Sequence, residues 1–286
     1  MYPLYDAHNH LQDAWLAPYR AAVFAELGKL PLRSAVVNGT AENDWAEVEG
    51  LGVTHAFVQP SFGLHPWHVG NASALWRDRL TEILQRHPTA PIGEIGVDRW
   101  MLDRARPDDL RLKGLVRAPL AAQIEALRWQ LALAAREDRA ATLHCLDAWG
   151  PLTELLRAMP LPARGFLLHA YGGSAELARE LARYGAYFSF SGYFLGDRQR
   201  ARQAVFETLP LDRLLVETDA PAMPLTDGKR EFELPPLPDG TALNHPANLR
   251  AVYLGLASIR KMPVEELAAI VAANFQRLFG PTGRAR

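Results

Sequence analysis

Six residues of the kinds that bind divalent metals stand out in the sequence: His8, His10, Glu94, His144, His169 and Asp219. Each lies at or just past the end of a short apolar run, in Asp6-Ala-His8-Asn-His10, Gly93-Glu94-Ile-Gly96, Leu143-His144, Leu168-His169 and Glu217-Thr-Asp219. Residues two apart on a strand share a face, with ~6.6 Å between α-carbons, so His8 and His10 can grip one ion from the same side. Imidazole with carboxylate suits Zn2+ first, with Mn2+, Co2+ or Mg2+ as alternatives, and suits Ca2+ poorly. A lone strand histidine is usually a hydrogen-bonded core or rim residue. Six ligand-type residues in otherwise apolar strands would be costly to bury unpaired, which favours a shared metal role.

One open catalytic zinc needs only three or four protein ligands, so this set predicts two ions, with Glu94 best placed to bridge them. Water held between two such ions is a nucleophile at neutral pH. Asp219 is then expected to manage its proton as general acid and base, with Glu217 orienting a ligating histidine. Gly93 and Gly96 would let backbone and substrate come close beside Glu94. His55 opens a strand and His87 follows a helix, so both read as surface residues. Cys145 directly follows His144, so strand alternation points it outward toward the helices, as packing.

The elements that position these residues follow from the apolar runs, at 4–10, 34–38, 56–60, 91–94, 140–144, 165–169, 186–191 and 214–217. Helical periodicity fills the intervals, clearest at 71–86, 119–136, 174–183 and 264–278. Strands alternating with helices imply parallel pairing through right-handed crossovers. Eight such strands predict an α/β fold, a (β/α)8 TIM barrel forming a single domain over 1–286, with an open doubly wound sheet as the alternative. Catalytic residues of such barrels sit at strand C-termini, where all six candidates lie. Two long connections, 98–119 and the proline-rich 221–246, follow the fourth and eighth strands and would flank the same mouth.

Composition narrows the class. The 286 residues are 49% hydrophobic and 22% charged, with a net charge of −1, which argues against a high-affinity nucleic-acid binder but not against an enzyme that handles an end briefly. Only four of the 31 basic residues are lysines, so scattered arginine is background. A single cysteine excludes an intramolecular disulfide. The N-terminus lacks a basic and apolar leader pattern, and no stretch reaches the ~20 apolar residues of a membrane span, so a cytoplasmic protein is expected. No obligate protein partner is evident.

Read in order, Asp6-Ala-His-Asn-His10, Gly63-Leu-His-Pro-Trp67, Gly93-Glu-Ile-Gly-Val-Asp98, Leu143-His-Cys145, Leu168-His-Ala170, Glu217-Thr-Asp-Ala-Pro221 and Asn274-Phe-Gln-Arg-Leu-Phe279 form a set. In these motifs, over nearly the whole chain, the sequence resembles the TatD family of metal-dependent deoxyribonucleases, within the amidohydrolase superfamily. The resemblance implies a phosphodiesterase acting on DNA, with His8, His10, Glu94 and Asp219 on one metal and Glu94, His144 and His169 on the second. It also implies that His65 lines the substrate site without binding metal; the plainer alternative is that His65 caps its own loop.

The chain departs from the family at Asn244-His245-Pro246, where the family often has Asn-Glu-Pro, and at Leu146-Asp147, where many members carry Arg or Lys. The 98–119 connection is also longer than usual. Arg99, Trp100 and His245 are therefore the candidate substrate contacts, the alternative being that both connections merely cover the barrel rim. The expected substrate is a single-stranded DNA end or small phosphodiester. The rival activity is an amidase or lactonase, but none of the lysines ends an expected strand, where many such enzymes bridge their metals with a carboxylated lysine. A metal-stabilised binding scaffold is the second rival.

Overall fold

Among the described residues eight strands form where the apolar runs lie: β1 (Leu4–Asn9), β2 (Leu32–Asn38), β3 (Val58–Ser61), β4 (Ile92–Asp98), β5 (Ala141–Leu146), β6 (Phe166–Leu168), β7 (Ala186–Ser191) and β8 (Leu214–Glu217). This computed structural model describes residues 2–226 and 228–281. Met1, Asp227 and 282–286, which the expected 1–286 domain includes, lie outside the described residues, as does the Asp227 step of the 221–246 connection. Helices α1 (Arg20–Leu27), α2 (Trp45–Thr54), α3 (Trp76–Arg86), α4 (Trp100–Asp103), α5 (Leu120–Glu137), α6 (Trp149–Ala158), α7 (Ala175–Arg183), α8 (Arg200–Thr208), α9 (Leu249–Arg260) and α10 (Val264–Phe279) fill the intervals.

All strand pairs are parallel, in the orders β1-β2-β3 and β4-β5-β6-β7-β8. The two sheets meet at two seams. Phe62, just past β3, bridges Ile92 of β4, with Gly93 N–H donating to Phe62 C=O at 3.1 Å. Past β8, Asp219 N–H donates to His8 C=O at 3.0 Å and His10 N–H to Ala220 C=O at 2.8 Å. The fold is the expected (β/α)8 barrel. Its strands are mostly apolar, as parallel strands covered by helices are, and the buried polar exceptions on β1 and β4 are Asp6, His8, Asn9, Glu94 and Asp98. Phe166, Phe188, Phe190, Phe206 and Phe275 belong to one continuous fully buried core.

Two local irregularities matter for the site. The β1–β2 register slips by one residue between Asp6 and Asn9, and the β4–β5 register slips between Ile92 and Ile95. An extra residue in one strand re-aims its side chains, and here the slips fall on His8 and Glu94. Gly96, at φ +150, could carry no side chain, because a Cβ there would lie 2.0 Å from the His144 carbonyl oxygen. The glycines beside Glu94 thus allow the close approach expected of the backbone, Gly93 against Asn38 and Thr142 and Gly96 against His144.

Strand β4 runs to Asp98, past its expected end at Glu94. The following connection is not structureless: α4 and a 3-10 turn at Leu110–Leu112 enclose a small core of Met101, Ala105 and Leu112, flanked by Trp67, Trp100, Leu102 and Leu115. The helix expected from residue 71 begins only at Trp76: Asn71 closes a 3-10 turn, Ala72 is extended, and the Asn71 side chain bonds Gly114 C=O (3.2 Å) and Val116 N–H (2.7 Å) of this excursion. The connection after β8 is tied back by Asn244 N–H to Pro221 C=O, and by Asn248 Oδ1 accepting from Glu231 and Phe232 N–H.

Candidate metal centre

The barrel mouth gathers all six candidates, from β1, β4, β5, β6 and the turn after β8. His8 and His10 face each other with Nε2 atoms 3.1 Å apart. Asp219 Oδ1 lies 3.4 Å from His8 Nε2 and 3.7 Å from His10 Nε2. Glu94 spans the centre: Oε2 is 3.5 Å from His8 Nε2 and 3.1 Å from His10 Nε2. Its other oxygen, Oε1, is 2.8 Å from His169 Nε2, 3.1 Å from His144 Nδ1 and 3.3 Å from His65 Nε2. One carboxylate therefore serves two donor sets, one on each oxygen. Among the described residues three groupings could each hold an ion: His8-Glu94-His169, His8-His10-Asp219 and His65-Glu94-His144.

The chemistry of the donor set fits divalent metal. His10 Nδ1 lies 2.8 Å from Asn38 C=O, which can only accept, so His10 carries its proton there and turns the Nε2 lone pair inward. Nitrogens paired at 3.1 Å among carboxylate oxygens crowd more lone pairs than the neutral rings have protons to meet, a surplus that a bound cation resolves.

Electrostatics separates the two carboxyls. Burial opposes the ionisation of Glu94, but His65, His169 and His8 hold it well below the usual carboxylate value. For Asp219 burial wins over His169 and His10, and its carboxyl is raised. Burial lowers His8 well below its ordinary value and takes His65 to about 4. Against the same burial, the bond to Glu94 raises His10 to about 9, and Asp98 and Glu94 raise His144 to about 9.

The remaining sequence candidates divide. His65 joins the cluster and also caps its own loop, its Nδ1 accepting from Trp67 N–H at 3.2 Å, so Nε2 bears the proton and points inward. Trp100 lies 6.1 Å from Trp67, with the Arg111 guanidinium 4.5 Å over its ring. Arg99 is exposed at the rim and pairs with Asp103 at 2.9 Å. His245 is not brought to the cluster: it caps the 3-10 turn Pro246–Asn248 through Ala247 N–H (3.1 Å) and stacks on Phe232. Glu217 accepts from Ala170 N–H (2.7 Å) and the Ser189 hydroxyl, and faces His169 Nδ1 at 3.8 Å, longer than a hydrogen bond.

Sequence reasoning passed over Asn38 and Asp98. Asn38 ends β2 and touches both His8 and His10, its side-chain amide lying 3.0 Å from His8 Nδ1 and its carbonyl 2.8 Å from His10 Nδ1. Asp98 ends β4 and accepts from His144 Nε2 at 2.9 Å and from the Trp67 indole at 2.6 Å. Both occupy strand ends, the signal used for the other residues, but Asp98 was hidden by the expected early end of β4.

Comparison with known proteins agrees with this geometry. The family model for TatD-related DNases matches residues 5–280. A metal-dependent hydrolase of Bacillus subtilis, YabD, is 27% identical over 277 residues, covering 96% of this chain and 98% of the relative. The 3'-5' ssDNA/RNA exonuclease TatD of Erwinia amylovora is 28% identical over 281 residues, covering 97% of this chain and all of its own length (100%). The crystal structure of YjjV, a TatD homologue from Escherichia coli, superposes with a TM-score of 0.81 at 26% identity, covering 97% of this chain and 98% of the other.

Proposed function

The chain belongs to the TatD-related DNase family of metal-dependent hydrolases, and on that premise we propose that it is a phosphodiesterase cleaving single-stranded DNA from an end. The observation that carries the reading is Glu94, whose two oxygens face separate donor sets. His8, His10, Asp219 and Glu94 Oε2 would hold one divalent ion, and His144, His169 and Glu94 Oε1 the second, with Zn2+ the first choice. Bound there, the ions would polarise a phosphoryl oxygen and lower the pKa of water.

The protein's own groups would do the rest. Asp219, whose raised carboxyl suits proton transfer, would take the proton from the attacking water and return it to the leaving oxygen. His65 Nε2–H would donate to a non-bridging phosphate oxygen and orient it. Residues 99–117 carry six basic against three acidic side chains, a local positive charge beside the mouth of a near-neutral protein. Arg99 and Trp100 would contact the flanking nucleotide there, while His245 serves the rim. The exonuclease name of the Erwinia relative supports attack from a 3' end. We also assign the whole barrel to one domain.

The deciding experiment compares metal-reconstituted protein on short single-stranded oligonucleotides, small phosphodiesters, lactones and dihydropyrimidines. Chelator-sensitive shortening of the oligonucleotide is expected, weakening as salt rises. Efficient lactone or amide turnover with phosphodiesters untouched would instead assign a C–O or C–N hydrolase.

A further inference from the structure

Asp98 sits where three donors meet. It is fully buried, and its Oδ2 accepts from the Trp67 indole N–H at 2.6 Å and from His144 Nε2 at 2.9 Å. Its Oδ1 accepts from Met101 N–H at 2.8 Å, which starts the α4 turn. Gln123 locks the backbone behind it, Oε1 accepting from Asp98 N–H (2.8 Å) and Nε2 donating to Asp98 C=O (3.2 Å). An indole nitrogen and a backbone amide can only donate, so both oxygens of Asp98 are fixed as acceptors. His144 Nε2 must then carry its proton, and Nδ1 is the nitrogen left to bind. That atom lies 3.1 Å from Glu94 Oε1 and 3.2 Å from His169 Nε2, inside the cluster.

We propose that Asp98 is a positioning residue for the second metal, holding His144 in its Nε2–H form and aiming Nδ1 at the ion shared with Glu94 and His169. Through Trp67 and Met101 the same carboxylate ties that ligand to the excursion of residues 99–117, so the ligand and the rim that meets substrate share one anchor. The proposal rests on the two-ion reading above. A purely architectural role would need only the bonds to Met101 and Trp67; the bond from Oδ2 to His144 is the one that reaches the cluster.

Asp98→Asn turns one oxygen into an NH2 donor. Placed toward Trp67 and His144, it forces His144 to accept at Nε2 and to move its proton onto the metal-facing Nδ1. Placed toward Met101, it opposes a backbone donor. Removal of such a partner typically weakens metal affinity about 10–100-fold. Trp67→Phe leaves the Asp98–His144 bond in place and should cost less.

The test is chelator-competition titration of zinc on wild type, Asp98→Asn and Trp67→Phe, with thermal melts to establish folding. It is paired with long-range 1H–15N spectra of the zinc-loaded, 15N-histidine-labelled wild type. The expected result is a loss of about 10–100-fold at the weaker site of Asp98→Asn, the other site unchanged, and a His144 ring protonated at Nε2. Wild-type affinity at both sites of a folded Asp98→Asn protein, or a His144 proton on Nδ1, overturns the proposal. Should the variant not fold, the wild-type spectrum decides alone. Fewer than two ions on wild type would sink the two-ion reading separately, and the ring tautomer would still judge Asp98.

Discussion

Glu94 and Asp219 touch the same histidines, yet their surroundings push them apart. Burial works against the charge on both; Glu94 is held ionised by imidazoles on each of its oxygens, whereas Asp219 meets only His8 and His10 at close range and stays raised. Asp219 is thus the carboxyl of the two that takes up a proton more readily, which suits proton transfer at the edge of the site. Asp219→Asn should therefore lower kcat by ~10²-fold or more while the other ligands retain metal. Near-normal kcat in that metal-containing variant would remove Asp219 from the mechanism. Glu217→Gln should cost less, since Glu217 bonds Ala170 N–H and the Ser189 hydroxyl and stands 3.8 Å from His169. Cys145 adjoins the cluster in sequence only. Burial pushes its thiol well up, so the native protein holds less thiolate than the unfolded chain, and this term lowers stability only as pH rises above the thiol's ordinary value. At about pH 8, iodoacetamide should label Cys145 slowly in the native protein and quickly in denaturant. Equal rates would show a thiol open to solvent and would overturn its reading as packing.

At the scale of elements, what could be read in advance was whatever depends on periodicity. Short apolar runs such as that of β2 and the amphipathic spacing of α5 predict strands and helices to within a few residues. The strand-end residues of β1, β4, β5, β6 and β8 then predict which side chains share the mouth. Periodicity carries no information about register, so the slips that turn His8 and Glu94 inward were not legible. Nor was the extension of β4, since Gly96 reads as punctuation until the His144 carbonyl is seen to need its missing side chain. Nor does periodicity foretell the setting of His245, whose sequence position is past β8 and whose ring caps a turn and stacks on Phe232. His245→Ala should accordingly lower Tm by the loss of a cap, ~1 kcal/mol, and leave kcat/KM nearly unchanged. A large kinetic effect at unchanged Tm would restore it as a substrate contact. Asn71 gives the complementary case. Asn71→Ala frees the 112–117 side of the excursion by removing bonds to Gly114 and Val116. It should raise KM for oligonucleotides several-fold and leave turnover of a small phosphodiester intact; parallel changes in both substrates would mean the excursion shapes the metal site itself.

The molecule as a whole is two curved sheets closed on each other, and the cluster lies across the closure. β1 belongs to the three-stranded sheet, while β4, β5, β6 and β8 belong to the other. Where β1 meets β8, the Asp6 carboxylate accepts from Thr218 N–H (3.0 Å) and the Thr218 hydroxyl (2.6 Å), directly beneath His8 and Asp219. An ion on His8, His10 and Asp219 would add a covalent-strength link across that seam, and one on Glu94, His144 and His169 would join β4 to β5 and β6. No helix among the described residues is long and apolar enough to cross a membrane. Metal binding should therefore be worth stability as well as chemistry. At a free metal concentration of 100 Kd each site contributes about 2.7 kcal/mol. With about 2–4 °C of Tm per kcal/mol for a chain somewhat smaller than this one, two filled sites amount to a shift on the order of 10 °C. Chelation should lower Tm by that order, and stoichiometric Zn2+ or Mn2+ should restore it. His8→Ala should lose chiefly the ion at the β1–β8 seam and His169→Ala the other, so each should recover only part of the shift, with elemental analysis approaching one ion per chain. A Tm indifferent to chelator, in protein shown to release its metal, would mean that the barrel closes without help and that the cluster was assembled for catalysis alone.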